Sequence, residues 1–447
     1  MNDSCVTEIL ANHVSNAMEI QLDDLLINQV KKVYLDYLCS AITGSDTDVG
    51  KLVYKSLLEV EGEGNCNIIA QDKGLSKTNA AFVNGTFSHC LDLDDGHTKG
   101  SIHPGTVVLP ALLAAAQQVR PGFEELAKAT IIGYEVCLRI SSAIHPSSRK
   151  RGFHNTSVAG IFGAVAAICA LKRFSKEEVQ NAFGIAASFA GGLFAFLGTG
   201  SEVKRIHPGQ AARDAVLAVE LTEKGLSGPK FVLESENGFF QAFAGGNINE
   251  DMLFRELGER FEIMNIYFKP YPCCRHLHSS IDAVYKIRET NQFELQEIAS
   301  IRVGVNSIAY KHRHYECQTF LDAQMSLPYA VSSAFVHPIL EISHFYPDRC
   351  SDSVKSLIPL VEVYVDERAE KVYPLERPAI VEITLKSGEK IDEYIHNPKG
   401  EPSIPLSSEI LEHKFKSNCS PIIGEDKALR ILDSVNKMEN LNFLYEI

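Results

Sequence analysis

The spacing of the apolar residues changes once along this chain, at Pro270, and that change restricts its fold more than any other feature of the sequence. From Ile20 to about Ile263 apolar side chains recur every three or four positions, as in Ile27, Val30, Val33, Tyr34, Tyr37 and Leu38, the repeat of successive amphipathic helices. Small-residue runs, Pro110 to Ala116 and Gly160 to Ala167, suit central helices packed backbone to backbone. Beyond Pro270 the pattern alternates: Ile301 to Val305, Val361 to Val365, and Ala379 to Leu385, the last stopping at the turn signal Lys386-Ser387-Gly388. Helical stretches around Ser279 to Glu289 and Gln324 to Phe335 separate these strands. The expected fold is mainly α: a large all-helical domain over residues 1–267 and a smaller α+β lid domain over 268–397. The C-terminal segment, 398–447, regains helical spacing after the loop Pro398-Lys399-Gly400-Glu401-Pro402 and is expected to rejoin the helical domain.

A chain of 447 residues exceeds what one core usually supports, which agrees with two domains. The net charge of −14 argues against nucleic acid, because phosphate-backbone binding needs a basic face. Met1-Asn2-Asp3-Ser4 lacks the basic start of a signal peptide, and no segment approaches the ~20 apolar residues of a membrane span. A cytoplasmic protein is expected, with its eleven irregularly spaced cysteines reduced and without membrane or nucleic-acid partners.

Four stretches can carry chemistry. Asn84 to His97, with His103-Pro104-Gly105 after it, packs three carboxylates and three histidines into one segment. Carboxylates this close raise one another's pKa, and imidazoles titrate near neutrality, so a general base can lie here; capping aspartates and solvated histidines are the plain alternative. His154 precedes Asn155, Thr156 and Ser157, any of which suits a helix cap beside an anion position. Gly198 to Gly209 is a glycine-rich loop holding Lys204 and Arg205, but it lacks phosphate-loop spacing, so a nucleotide site is not expected. Lys269 to His278 lies at the domain junction, where clefts form. Its Cys273, Cys274, His276 and His278 are too crowded to converge on one tetrahedral zinc, and the adjacent cysteine pair does not suit an iron-sulfur cluster. No nucleophile elbow or dinucleotide fingerprint is present.

Taken in order, these stretches resemble the MmgE/PrpD family, which contains 2-methylcitrate dehydratase, cis-aconitate decarboxylase and iminodisuccinate epimerase. Asn84 to Asp95 is similar to the family's N-G-x-x-x-H-x-L-D-x-D-D, and Gly133-Tyr134-Glu135 to its G-Y-E. Gly152-Phe153-His154 is similar to G-[FY]-H, Lys204 to Ala212 to K-x-x-H-x-G-x-A-A, and Lys269 to Asp282 to K-x-Y-P-x-C-R-x-x-H-x-x-I-D. The resemblance implies a cofactor-independent, metal-free homodimeric lyase whose site lies between the helical and lid domains and acts on a small di- or tricarboxylic acid. It carries functional roles to Asp92, His103, His154, Lys204, Lys269 and Tyr329. The sequence departs from the family's pattern at Gly96-His97, where members commonly have Thr, and at Cys274, where decarboxylases tend to have His.

Forming a carbanion next to a carboxylate requires cations for the enediolate and a base near neutral pKa. Lys204, Lys269 and Arg275, with His97, are the expected substrate-binding groups. His103 or His154 would move the proton, Asp92 would orient an imidazole, and Tyr329 would donate a proton or bind a carboxylate. Dehydration of a 2-methylcitrate-like acid is the first expectation, epimerisation of an iminodisuccinate-like acid the second, and cis-aconitate-type decarboxylation the third. A helical interaction protein on an inactive scaffold is the non-enzymatic alternative; His and Lys positions lying on separate surfaces would favour it.

Overall fold

A computed structural model describes residues 5–197, 199, 201–438 and 444. Gly198 and Gly200 of the glycine-rich loop lie outside the described residues.

Helices form where the sequence period places them, and their starts are set by side-chain caps. Asp23 accepts the amide of Leu26 (2.8 Å) to open Asp24–Ser45, and Ser175 with Glu178 forms a capping box ahead of Lys176–Phe189. Five helices make the centre: Lys77–His89, Gly105–Val119, Phe123–Ile144, Gly160–Leu171 and His207–Glu223. Gly160–Leu171 is buried along its whole length. It crosses Phe123–Ile144 at a glycine pair, where a Cβ on Gly163 would lie 2.5 Å from the carbonyl of Gly133. Such an approach is open only to glycine, so the small-residue run does set backbones together. A helix that the apolar spacing did not suggest, Val6–Ser15, precedes this set.

After Phe268 the core changes partners. One hydrophobic cluster runs from Leu10 to Phe268 and resumes from Leu406 to Leu444. A second, from Tyr271 to Leu385, belongs to a four-stranded sheet and its helices. The strands β1 (Ile298–Val305), β2 (Val361–Val365), β3 (Ala379–Leu385) and β4 (Lys390–Ile395) lie in the order β2-β1-β3-β4. β1 pairs parallel to β2, with Val303 opposite Val363, and antiparallel to β3, with Val303 opposite Val381. β4 returns antiparallel to β3 across the Lys386-Ser387-Gly388 turn. His278–Thr290 packs on β3 and β4, and Leu327–Val336 on β2. The molecule is therefore mainly α with a smaller α+β region.

The C-terminal helices, Ser408–Ile423 and Glu425–Lys437, return to the first core: Lys414 reaches Asp36 (2.7 Å) and the carbonyl of Leu93 (2.9 Å), all buried. Among the described residues no helix is long and apolar enough to cross a membrane. All eleven cysteines are free thiols.

Candidate active site

The loop that leaves Lys77–His89 is turned by Asp92, whose φ of 52° lies in the left-handed region that aspartate tolerates better than most residues. It is then pinned to the residues ahead of the small region. The amide of Gly96 donates to the carbonyl of Tyr267 (3.0 Å), and that of Tyr267 to the carbonyl of Gly96 (2.7 Å). Gly96 is what lets the Tyr267 ring lie here, since a Cβ at this position would fall 2.3 Å from the tyrosine hydroxyl. Two residues past Tyr267, the ammonium of Lys269 reaches both the carbonyl (2.8 Å) and Oδ1 (2.7 Å) of Asp92. Lys204, on a short 3-10 helix from Glu202 to Ile206, approaches the same oxygen at 3.0 Å. All three residues are buried.

Beside this centre stands His103. Its Nδ1 meets the carbonyl of Asp95 (2.8 Å) and Oδ2 of Asp94 (3.0 Å), and its Nε2 lies 3.9 Å from Oδ1 of Asp92. Both partners of Nδ1 are acceptors, which assigns the proton there and leaves the Nε2 lone pair available beside Asp92. His89 bonds the same Asp94 oxygen through Nδ1 (3.0 Å). His154 completes the group: its amide donates to Gly192, its Nδ1 lies 3.0 Å from Nδ1 of His207, and its ring is 6.0 Å from His89 and 5.0 Å from Phe194.

Charge states follow from this packing. Burial acts to raise the pKa of Asp92, but Lys204 and Lys269 outweigh it and hold the carboxyl well below the usual range. Asp94 is likewise held ionised against burial, by His89 and His103. Burial dominates at His89, bringing it down to about 3 against the pull of Asp94, so it donates to Asp94 as a neutral imidazole. Burial, with His207 adding, keeps His154 well below its ordinary value and neutral. The expected mutual raising of the aspartates holds for Asp95 alone, which burial and Asp36 push up; at Asp92 and Asp94 the nearby cations and N–H groups prevail. The imidazole of His103 is oriented by Asp94, not by Asp92, which instead anchors the two lysines.

Asp92, His103, His154, Lys204 and Lys269 thus converge on one buried cluster, with His89, Asp94 and His207 as members that the sequence reading did not single out. Their signal was present: His89 and Asp94 lie in the same histidine-aspartate segment, and His207 in the Lys204 stretch. The other three candidates sit elsewhere. Arg275 spends its five N–H donors on Glu401 (2.9 and 3.3 Å), His278 (3.0 Å) and the carbonyls of Pro398 (3.2 Å) and Lys399 (2.9 Å). His97 accepts the amide of Gly100 (3.2 Å) and lies 3.5 Å from Glu262. Tyr329 donates to the carbonyl of His344 (3.0 Å) in the second hydrophobic cluster. Asn155 caps nothing; its side chain joins Ser148 (2.6 Å) to the carbonyl of Gly100 (2.9 Å).

One group of described residues could hold a metal, His89, Asp92, Asp94 and His103, with ligand atoms within 4.8 Å of one another. Two ammonium groups already share Oδ1 of Asp92, so a divalent ion would have to sit beside two positive charges. Cys273, Cys274, His276 and His278 do not form such a group among the described residues. Instead His278 bonds the carbonyl of Cys273 (3.2 Å), and His276 stacks on His312.

Comparison with known proteins identifies the family. The model of the MmgE/PrpD N-terminal domain matches residues 8–251, and that of the MmgE/PrpD C-terminal domain matches 271–440. A cis-aconitate decarboxylase-like protein of Aspergillus oryzae is 27% identical, the alignment covering 97% of this chain and 94% of that one. The cis-aconitate decarboxylase of Aspergillus terreus is 25% identical over 98% of this chain and 94% of its own. That of Homo sapiens is 26% identical over 98% and 92%. With both domain models matched in order and relatives aligned nearly end to end, this chain belongs to the MmgE/PrpD family.

Proposed function

We propose that this protein is a lyase that forms a carbanion next to a carboxylate of a small tricarboxylic acid, and that a cis-aconitate-like acid is its substrate. The observation that carries this reading is the Lys204–Asp92–Lys269 centre with Nε2 of His103 beside it. Two ammonium groups and one carboxylate leave one net positive charge, buried, where electrostatic interactions are strong. Lys269 commits two of its three N–H donors to Asp92 and Lys204 one, so donors remain for a substrate carboxylate. In decarboxylation the C–C bond to the departing carboxylate breaks and its electron pair stays on carbon, spread into the adjoining carboxylate, which the lysines stabilise. Nε2 of His103, once it has taken a proton from solvent, then delivers that proton to carbon. The full-length relatives named as cis-aconitate decarboxylases favour this outcome.

Dehydration is the second reading, favoured by the available lone pair at Nε2 of His103, which in that direction removes the α-proton before β-hydroxide leaves. The non-enzymatic alternative would have been favoured by histidines and lysines on separate surfaces, and their clustering speaks for the enzymatic reading. Proton NMR in D2O separates the reactions. Cis-aconitate, 2-methylcitrate, citrate, malate and iminodisuccinate are each incubated with the enzyme and with His103→Ala. Decarboxylation gives a product one carbon shorter with deuterium incorporated; dehydration gives an unsaturated acid with all its carbons, seen as a vinyl resonance from citrate or malate and as loss of the methine signal from 2-methylcitrate; epimerisation gives exchange with conversion to the stereoisomer. The proposal fails if no acid is consumed or exchanged, or if His103→Ala retains the activity.

A further inference from the structure

Arg149 is a half-buried guanidinium with no carboxylate beside it among the described residues. Its Cζ lies 3.5 Å from the centroid of the Phe194 ring, and Phe194 stands edge-on to His154, so one aromatic ring separates this cation from the catalytic histidine cluster. Burial works against its charge, and no acid among the described residues offsets it. A cation at this depth without a counter-ion is costly, and a planar guanidinium is the side chain best shaped to take a carboxylate through two parallel hydrogen bonds.

The surroundings are polar, and among the described residues no carboxylate pairs with Arg149. The Tyr373 hydroxyl lies 2.9 Å from Nε2 of His145, and the Tyr373 ring 6.2 Å from that of His276. His276 stacks on His312 at 5.6 Å, and Nε2 of His312 is 4.0 Å from the Cys274 sulfur. Burial, with Arg377 and Arg149 adding, brings His145 down to about 3, so it stays neutral. Nδ1 of His145 and Nδ1 of His276 are buried without a hydrogen-bond partner. Cys274 is held on this wall by its amide, which donates to the carbonyl of Gln324 (3.0 Å). Phe194, packed between Arg149 and His154, is the ring that joins this wall to the histidine cluster. His145 also lines an open cavity of about 660 Å3 whose walls carry Lys99, Lys150 and Arg151, a basic approach on an otherwise acidic protein.

We propose that Arg149, stacked on Phe194 and flanked by Tyr373, seats a distal carboxylate of the substrate and makes the site select three-carboxylate acids over acids that lack that group. This inference rests on the reading of the protein as a carboxylic acid lyase and adds the residue that holds the unreacting end. Because the seat acts in binding, it is tested without turnover. Isothermal titration compares tricarballylate, an unreactive acid with three carboxylates, with methylsuccinate, which lacks one of them, on the wild type, Arg149→Met and Arg149→Lys. Arg149→Met is expected to weaken tricarballylate by about 10- to 100-fold, the value of a charge-assisted hydrogen bond, and methylsuccinate by less than about threefold. Arg149→Lys keeps the charge and the stem but not the fork, and should fall between the two while showing that the site still folds. Equal loss for both acids, no loss for tricarballylate, or no binding of it by the wild type overturns the proposal. Wild-type protein that binds as expected yet exchanges and consumes nothing would instead overturn the lyase reading and leave the seat standing.

Discussion

Replacing Asp92 by Asn removes the one anion between two buried ammonium groups, and the structure sets the size of the effect. Both nitrogens touch the same oxygen, at 2.7 and 3.0 Å, so they stand within about 6 Å of each other. At an effective dielectric of about 20, like charges at that distance repel by about 3 kcal/mol. Removing one partner of a buried pair costs about 3–5 kcal/mol in general, so Asp92→Asn should lose about that much stability in urea unfolding at pH 7. The double variant Asp92→Asn/Lys204→Met, which removes the repulsion, should recover about 2–3 kcal/mol of it.

The pH dependence gives an independent check. Asp92 is held below its ordinary value because the lysines outweigh burial, so its contribution is present above about pH 3.9 and is lost as pH falls through its folded pKa. At Lys269 burial is outweighed by Asp92 and the pKa is raised, so its contribution is complete below about pH 10.4 and is lost as pH rises through the folded value. Neither group makes the wild type pH-sensitive between about pH 5 and 9. In Asp92→Asn burial is left to act on Lys269 and its folded pKa drops; the unfolded chain then binds more protons, and stability rises from about pH 7 to 10. A loss under about 1 kcal/mol, or stability that falls over that interval, would refute the assignment of Asp92 as the shared counter-ion.

Three further variants separate the cluster from its surroundings. Gly96→Thr should cost about 1–3 kcal/mol by overpacking against Tyr267, as read by thermal melting. Arg275→Met should destabilise by about 3–5 kcal/mol because Glu401 is left buried without its partner, while the folded fraction keeps its KM. Tyr329→Phe should lose about 1 kcal/mol with its hydrogen bond to His344 and leave kcat unchanged.

What the sequence disclosed depended on how far each constraint reached along the chain. Asp92, Asp94, Asp95 and His103 fall within a dozen residues, so their proximity needed no fold. Lys204 and Lys269 join them only through tertiary packing, and resemblance to a family, not spacing, brought them into the set. β1, β2 and β3 alternate visibly, whereas β4, which like β2 lies at an edge of the sheet, has only half-buried or exposed residues, and its apolar pattern is correspondingly faint. Arg275 looked like a substrate ligand because a lone arginine in a junction motif gives no hint of Glu401, which lies 126 positions away. Arg149 stayed hidden for the opposite reason: in Arg149-Lys150-Arg151 nothing distinguishes the side chain that turns inward from the two that remain exposed.

The pairing of Asp36 with Lys414 also has a consequence for biosynthesis. The two residues are 378 positions apart, so at about 5–20 residues per second the ribosome needs roughly 20–75 seconds after making the aspartate before its lysine exists. During that interval Asp36, destined for the interior, lacks the cation that neutralises it there, and the groove that Ser408–Ile423 will fill stands open. The sheet-bearing region, whose strands and covering helices all lie between residues 278 and 395, carries its own core and can form first. The helical core, although made earlier, is closed last, so its groove is the apolar surface left open longest during synthesis.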